Sequence, residues 1–219
     1  MGLPQAREED EFPPAASLLA ENERLKREIT IARARIGELE ARADIDPLLD
    51  ILNRRGFERE LKRSLAHVKR YGTQAALMFI DLDSFKAVND RYGHGAGDAL
   101  LKAVTRELVA NVRASDVIGR LGGDEFGIVL WRVEEGQASA KARELEALIE
   151  RVGVAHGQAR VQVGASVGAA LLLPDATPAE MIGVADRAMY ARKEERRGGS
   201  HTVIARVDES DDGGPISTR

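Results

Sequence analysis

The chain contains no cysteine among its 219 residues. That excludes disulfides, thiolate catalysis and cysteine-ligated zinc, and it accords with a reducing cytoplasm. No apolar run approaches the roughly 20 residues that cross a bilayer, and the N-terminus lacks the apolar core of a signal peptide, so a cytoplasmic protein without a membrane span is expected. There is no excess of positive charge: 32 Lys and Arg face 36 Asp and Glu, a formal net charge of -4, which offers no long-range attraction to nucleic acid or an anionic membrane. Neither GxxxxGK[ST] nor GxGxxG stands at a strand-to-helix turn, which excludes the P-loop and the dinucleotide fold. What is present, 43% hydrophobic and 31% charged residues, suffices for one ordinary domain and an appended element.

The opening stretch, residues 1–16, mixes prolines and acids with few apolar residues and cannot repay the entropy of ordering itself, so it reads as a flexible arm, and its acidic, proline-containing character is the one hint of a protein partner. From Leu18 the pattern changes. Leu18, Asn22, Leu25, Ile29, Ala32, Ile36, Leu39 and Ala43 step by alternating fours and threes, a heptad seam. Branched residues at a and leucines at d favour two parallel strands, with Asn22 fixing the register. In such a dimer Glu21 faces Lys26, Glu28 faces Arg33 and Arg35 faces Glu40, and all three pairs attract. A dimerising parallel coiled coil is therefore expected over residues 17–44.

Pro47 breaks the heptads and is placed to open a new helix capped by Asp46. "FERELKRSLAHVKRYG" has apolar residues at helical spacing and ends at Gly72. "AALMFIDLDSF" reads as a buried strand whose apolar run stops at Asp81. A polar, glycine-rich stretch leads into a long helix from about Gly97. "DVIGRLGGDEFGIVLW" is a hairpin, "ASAKARELEALIERVG" helical, "ARVQVGASVGAAL" strand-like, and "TPAEMIGVADRAMYARKEERRGG" a helix entered through a proline. "HTVIARV" is a candidate last strand, and 206–219 a disordered tail. This order implies an α+β domain over 45–205, a ferredoxin-like, palm-type βαββαβ core. Its central sheet is antiparallel or mixed, with helices against one face.

In "RLGGDEFGIVL", residues 120–130, Asp124 and Glu125 lie at the hairpin turn, and Asp81 ends the first core strand. If the two strands are neighbours, their carboxylates converge and repel unless a cation lies between them. Oxygen ligands with open positions suit Mg²⁺, which completes its shell with water and substrate phosphates.

"GGDEF" at Gly122 to Phe126 resembles the signature of the GGDEF family of diguanylate cyclases. So do "FIDLDSFKAVNDRYGHGAGDALL", "SVGAA" at Ser166 to Ala170 and "ADRAMYARKEERR", and the likeness runs through most of residues 44–205. The resemblance implies condensation of two GTP into cyclic di-GMP with release of two pyrophosphates. It implies metal ligation, by Mg²⁺ or alternatively Mn²⁺, through Asp81, Asp124 and the carbonyl of Leu82. Asp124 and Glu125 are the implied catalytic acids; whether Asp124 or water takes the proton of the attacking hydroxyl stays open. Asn89 and Asp98 match the guanine readers, since a carboxamide and a carboxylate complement guanine's donors. Phosphate handling falls to the amides of Phe85 and Lys86 and to Lys193 and Arg197, a turn apart on one helix. Here the chain departs from the family, with Arg196 and Gly198 in place of the usual glycine and asparagine.

"RASD", Arg113 to Asp116, stands five residues before Gly122, as the RxxD product-inhibition site of many relatives does, and implies binding of cyclic di-GMP. The family's further arginine does not map cleanly, because Glu144 occupies its place beside Arg143. Leu49 and Asp50 replace the usual threonine and glycine after "DPL". Because the product has twofold symmetry and one domain holds one GTP, the resemblance implies a homodimer, which the coiled coil would make the ground state. A receptor that binds nucleotide without turnover, or a scaffold, are the rival classes.

Overall fold

The structure is a computed structural model that describes residues 19, 21–31, 44–156 and 159–198, with the side chains of Ala159, Arg197 and Gly198 excepted. It divides into two units, Met1–Ala43 and Asp44–Arg219. In the first, residues 21–31 are helical (α1). Leu25 and Ile29, at the expected seam, are 44% and 49% exposed along this single helix. Its charges pair within the helix: Arg24 with Glu21 at 2.6 Å and Glu28 at 3.3 Å, Lys26 with Glu23 at 3.0 Å. Leu18 and everything expected of residues 32–43, including Arg33, Arg35 and Glu40, lie outside the described residues, as do the arm, "HTVIARV" and the tail.

The second unit begins with a tight turn. Asp46 does cap, but its Oδ1 accepts the amides of Leu48 at 3.0 Å and Leu49 at 2.9 Å in a turn over residues 47–50, and no helix follows. The chain leaves this turn at Asp50, whose φ of 56° stops helical propagation; an αL residue of this kind is tolerated by aspartate better than by most side chains. Helix α2, Arg54–Tyr71, starts instead at Asn53, whose side chain accepts from Gly56 N, and ends on left-handed Gly72.

Next come β1 (Ala75–Asp83), α3 (Phe85–Tyr92), α4 (His94–Ala110), β2 (Val117–Arg120), β3 (Glu125–Trp131), α5 (Glu135–Arg151), β4 (Gly153–His156), β5 (Ala159–Gln162), β6 (Gly164–Leu171) and α6 (Pro178–Gly198). The four long-range strands form one antiparallel sheet, ordered β2-β3-β1-β6, while β4 and β5 form a separate hairpin. The α+β reading holds, but helices cover both faces of the sheet. Ala76, Met78, Ile80 and Leu82 of β1 pack on one side with Leu100 and Leu108 of α4 and Leu145 and Ile149 of α5. Ala75, Leu77 and Phe79 pack on the other with Phe57 and Leu61 of α2 and Met181 and Ala185 of α6. The continuous apolar run of β1 is the signature of a strand buried on both faces. "ARVQVGASVGAAL" is likewise two strands, because Gly164 starts β6 after the hairpin's second strand has ended at Gln162.

Phe57 is fully buried and belongs to the α2 side of the core. Phe57→Ala is expected to lower unfolding free energy by about 3–5 kcal/mol, the usual cost of emptying a buried aromatic site, as measured by urea titration.

Candidate active site

The register of the sheet assembles the site. Asp81 on β1 lies directly opposite Glu125 on β3 and, on its other side, Ser166 on β6. The amide of Leu82 donates to the main-chain carbonyl of Asp124 at 3.1 Å. The strand-end carboxylates therefore converge because β1 and β3 are neighbours. A Cβ on Gly122 would stand 2.3 Å from Glu125 Oε2, so a side chain there would push the glutamate's carboxylate from its place.

Such a cluster of acids attracts cations. Lys193 of α6 donates to Asp81 and stands 4.0 Å from Asp83, which also accepts from Ser166 Oγ at 2.9 Å. Arg54 donates to the carbonyl of Leu121 at 2.6 Å and lies 3.7 Å from Glu125. Arg120 donates to the carbonyls of Gly122 at 3.0 Å and Gly123 at 2.7 Å, and pairs with Asp46 at 3.1 Å. The glycine turn is thus tied by one guanidinium to the turn where the domain begins. Neither Arg54 nor Arg120 stood out in the sequence; the only signal was their place beside the motifs "NRRGF" and "RLGGDEF".

Burial, then the neighbouring Asp81 charge, pushes the Asp124 carboxyl above the ordinary carboxylate range, against the opposing pull of its backbone hydrogen bond, Lys193 and Arg120. Glu125 is also raised by burial, with Arg54 opposing and Asp81, Asp124 and Asp186 adding. Among the described residues no group of three or more His, Asp or Glu forms a metal cage by itself. The donor set nevertheless fits a hard cation that keeps water and phosphate oxygens, because carboxylate oxygens from two adjacent strand ends converge there and a divalent charge between them offsets their repulsion. The Lys193 ammonium is the positive charge that sits against one of them.

The remaining candidates fall into three places. Phe85 and Lys86 open α3 immediately after Ser84, whose φ of 59° bends the chain sharply out of β1; first-turn amides of a helix lack intrahelical partners. Asn89 lies inside α3 rather than capping it, and its Oδ1 stands 2.0 Å from the position a Cβ on Gly97 would take. That contact sets Asn89 against the turn of α4 that carries exposed Asp98. The side chain of Arg197 lies outside the described residues; Arg196 beside it reaches Asp83 at 3.7 Å and also pairs with Glu150.

A buried pair behind Lys193 was not foreseen. Glu146 of α5 takes Arg192 at 2.8–3.2 Å and accepts the amide of Val167 on edge strand β6 at 3.1 Å. This fastens α6 to α5 across the sheet edge, one residue from Lys193. Its signal was a lone glutamate in the apolar stripe of α5.

Away from these acids, Arg113 and Asp116 line a cavity of about 390 Å³. Asp116 accepts from the amides of Arg113 at 2.8 Å and Trp131 at 3.1 Å. The cation that α5 contributes to this cavity is Lys141, paired with Glu144 at 2.8 Å, rather than Arg143.

Residues 43–199 match the family model "Diguanylate cyclase, GGDEF domain". The chain belongs to the GGDEF family. Diguanylate cyclase DosC of Escherichia coli K12 is 37% identical over 156 residues, 70% of this chain and 33% of that protein. The bifunctional diguanylate cyclase and cyclic di-GMP phosphodiesterase MucR of Pseudomonas aeruginosa is 40% identical over 157 residues, 70% of this chain and 22% of MucR. The chain thus spans a third or less of these curated relatives. The GGDEF domain of TpbB from P. aeruginosa superposes with a TM-score of 0.64 at 33% identity, over 75% of this chain and 94% of that one. The coiled coil and GGDEF domain of DgcB from Caulobacter crescentus, solved with c-di-GMP, gives 0.69 at 24% identity over 87% and 100%, a likeness of fold. Among the described residues no helix is long and apolar enough to cross a membrane.

The raised carboxyls make a signed prediction. A carboxyl whose pKa rises on folding favours the fold at low pH, and that contribution is lost as pH climbs from its unfolded value, about 4, through its folded one. In chelator, the melting temperature is therefore expected to fall as pH climbs through that window. Asp124→Asn is expected to melt higher than the parent at pH 7 and to flatten the profile, both read by differential scanning calorimetry.

Proposed function

We propose that this GGDEF domain is a diguanylate cyclase, joining two GTP into cyclic di-GMP across a homodimer. The observation that carries this reading is the convergence of Asp81 and Asp124 at the ends of adjacent strands, beside the α3 turn and the α4 residues suited to phosphate and guanine. Asp81, Asp124 and the Leu82 carbonyl would hold the divalent ion, Mg²⁺ or Mn²⁺; when bound, it supplies neutralisation of triphosphate charge and polarisation of the α-phosphate.

The chain's own groups do the rest. Asn89 and Asp98 pair with the guanine edge, and adenine leaves them unpaired. The amides of Phe85 and Lys86, with Lys193 and Arg197, hold the triphosphate; Lys193 exchanges Asp81 for phosphate oxygens when substrate enters. The 3'-hydroxyl of one GTP attacks the α-phosphate of the other, its proton passes to Asp124 or to water, and pyrophosphate leaves. Glu125 supports the acidic shell. One domain presents one GTP, so the two must face each other. The heptad seam, with Leu25 and Ile29 half-exposed on a lone helix, supports pairing through a coiled coil, which raises the effective concentration of domains to about millimolar.

Purified protein with GTP and Mg²⁺ is expected to form cyclic di-GMP, followed by liquid chromatography. Asp124→Ala is expected to lower turnover by about a thousandfold or more, given how much a reaction rests on its electrostatic centre. Undiminished turnover would remove the reading. We also assign the Arg113–Asp116 cavity to product. Arg113→Ala is expected to weaken inhibition by added cyclic di-GMP by about tenfold or more, the worth of a charge-assisted bidentate contact, while initial turnover stays unchanged.

A further inference from the structure

Two cations of α6 meet the acids of β1, and they are held very differently. Lys193 donates to Asp81 and its Nζ lies 4.0 Å from Oδ1 of Asp83. One ammonium thus serves two carboxylates that alternate onto the same face of the strand. Arg196 takes the other oxygen of Asp83: its Nε lies 3.7 Å from Oδ2, while Oδ1 accepts from Ser166 Oγ at 2.9 Å. Gly164, opposite Asp83 on β6, leaves room for this contact, because a Cβ there would stand 3.0 Å from Asp83 Oδ2 and 3.5 Å from Arg196 Nη2. The guanidinium is also anchored on α5. It lies 3.5 Å from Glu146 and pairs with Glu150. Among the described residues Lys193 has ion pairs with Asp81 and Asp83 alone, so nothing but those two carboxylates restrains it.

That difference matters when a triphosphate arrives. For its ammonium to meet phosphate oxygens, Lys193 has to leave Asp81, and each carboxylate it leaves behind pulls it back. Asp81 is a ligand of the divalent ion in the reading above. Asp83 is not, so its charge has to be met by the chain itself. We propose that Arg196 is a positioning residue for the substrate: as the resident counter-ion of Asp83, it leaves Lys193 free to move to the triphosphate. Arg196 acts through Asp83 and Lys193 and itself touches no phosphate, a part different from that of its neighbour Arg197. The proposal rests on the cyclase reading.

The test is calorimetric titration of the full chain, in Mg²⁺, with 3'-deoxy-GTP. This nucleotide carries the guanine and the triphosphate but lacks the attacking hydroxyl, so affinity is read without turnover. Arg196→Gln keeps side-chain length and helix propensity and removes only the charge. It is expected to weaken affinity about tenfold, a usual size of coupling within one ion-pair network. Arg196→Lys, which restores the charge, is expected to recover most of that loss. In an Asp83→Asn background, where Lys193 is no longer drawn back, Arg196→Gln is expected to change affinity by less than about twofold. Glu150→Gln, which removes only the anchor on α5, is expected to cost less than Arg196→Gln. Undiminished affinity in Arg196→Gln would overturn the proposal. So would a loss that persists undiminished beside Asp83→Asn, which would mean that Arg196 meets the phosphates directly, or an equal loss in Glu150→Gln, which would mean that it only fastens α6 to α5. A parent chain that does not bind 3'-deoxy-GTP would remove the cyclase reading and the proposal together, whereas a parent that binds beside an unaffected Arg196→Gln removes the proposal alone. Far-UV circular dichroism of each variant separates a lost fold from a lost contact.

Discussion

Like charge brought to one end of a sheet is the constraint around which the rest is arranged. Asp81 and Asp83 on β1, Asp124 on the turn and Glu125 on β3 are set close by strand pairing, where like charges repel. Relief comes from other elements: Lys193 and Arg196 from α6, Arg54 from α2, Arg120 from β2. Burial first, and the neighbouring acids after it, still hold the carboxyls of Asp124 and Glu125 above the ordinary range, with Lys193, Arg120 and Arg54 opposing.

The cations act only if their helix is held in place. Helix α6 packs on the sheet through Met181, Ala185 and Met189, which fixes its distance but leaves the reach of its last turns open. The buried Glu146–Arg192 pair closes that freedom by binding α5, α6 and the edge amide of Val167 at one carboxylate. Burial of an ion pair is tolerable here because both carboxylate oxygens and three donors are engaged. Among the described residues the edge of β6 pairs with no further strand, and its Val167 amide meets the Glu146 side chain.

At the opposite corner, Arg120 links Asp46 with the carbonyls of Gly122 and Gly123. The entry turn and the bend that carries Asp124 thus share one guanidinium. Leu49 is buried in the core and Asp50 takes a left-handed conformation, so the two residues that depart from the family's usual pair are accommodated by the fold without loss of this link.

Composition, the buried run of β1 and the "GGDEF" turn were enough to reach an α+β domain and the expectation that Asp81 meets the acids of that turn, because strand burial and turn chemistry are local properties of the chain. Short elements were harder. Helix α3 has eight residues and the β4–β5 strands four each, too few for a period to declare itself. The unbroken apolar run of β1 is itself the mark of a strand covered on both faces, where alternation alone would leave one face bare. The sequence by itself determined which residue types are available and which lie at turns. Only the tertiary structure decided which cation meets which acid. Lys193 reaches Asp81 from 112 residues away, Arg192 meets Glu146 from 46, and Lys141 lines the cavity of Arg113 and Asp116 while paired with Glu144. Such pairings depend on helix rotation and strand order, which arise from packing summed over the whole core and leave no periodic trace along the chain.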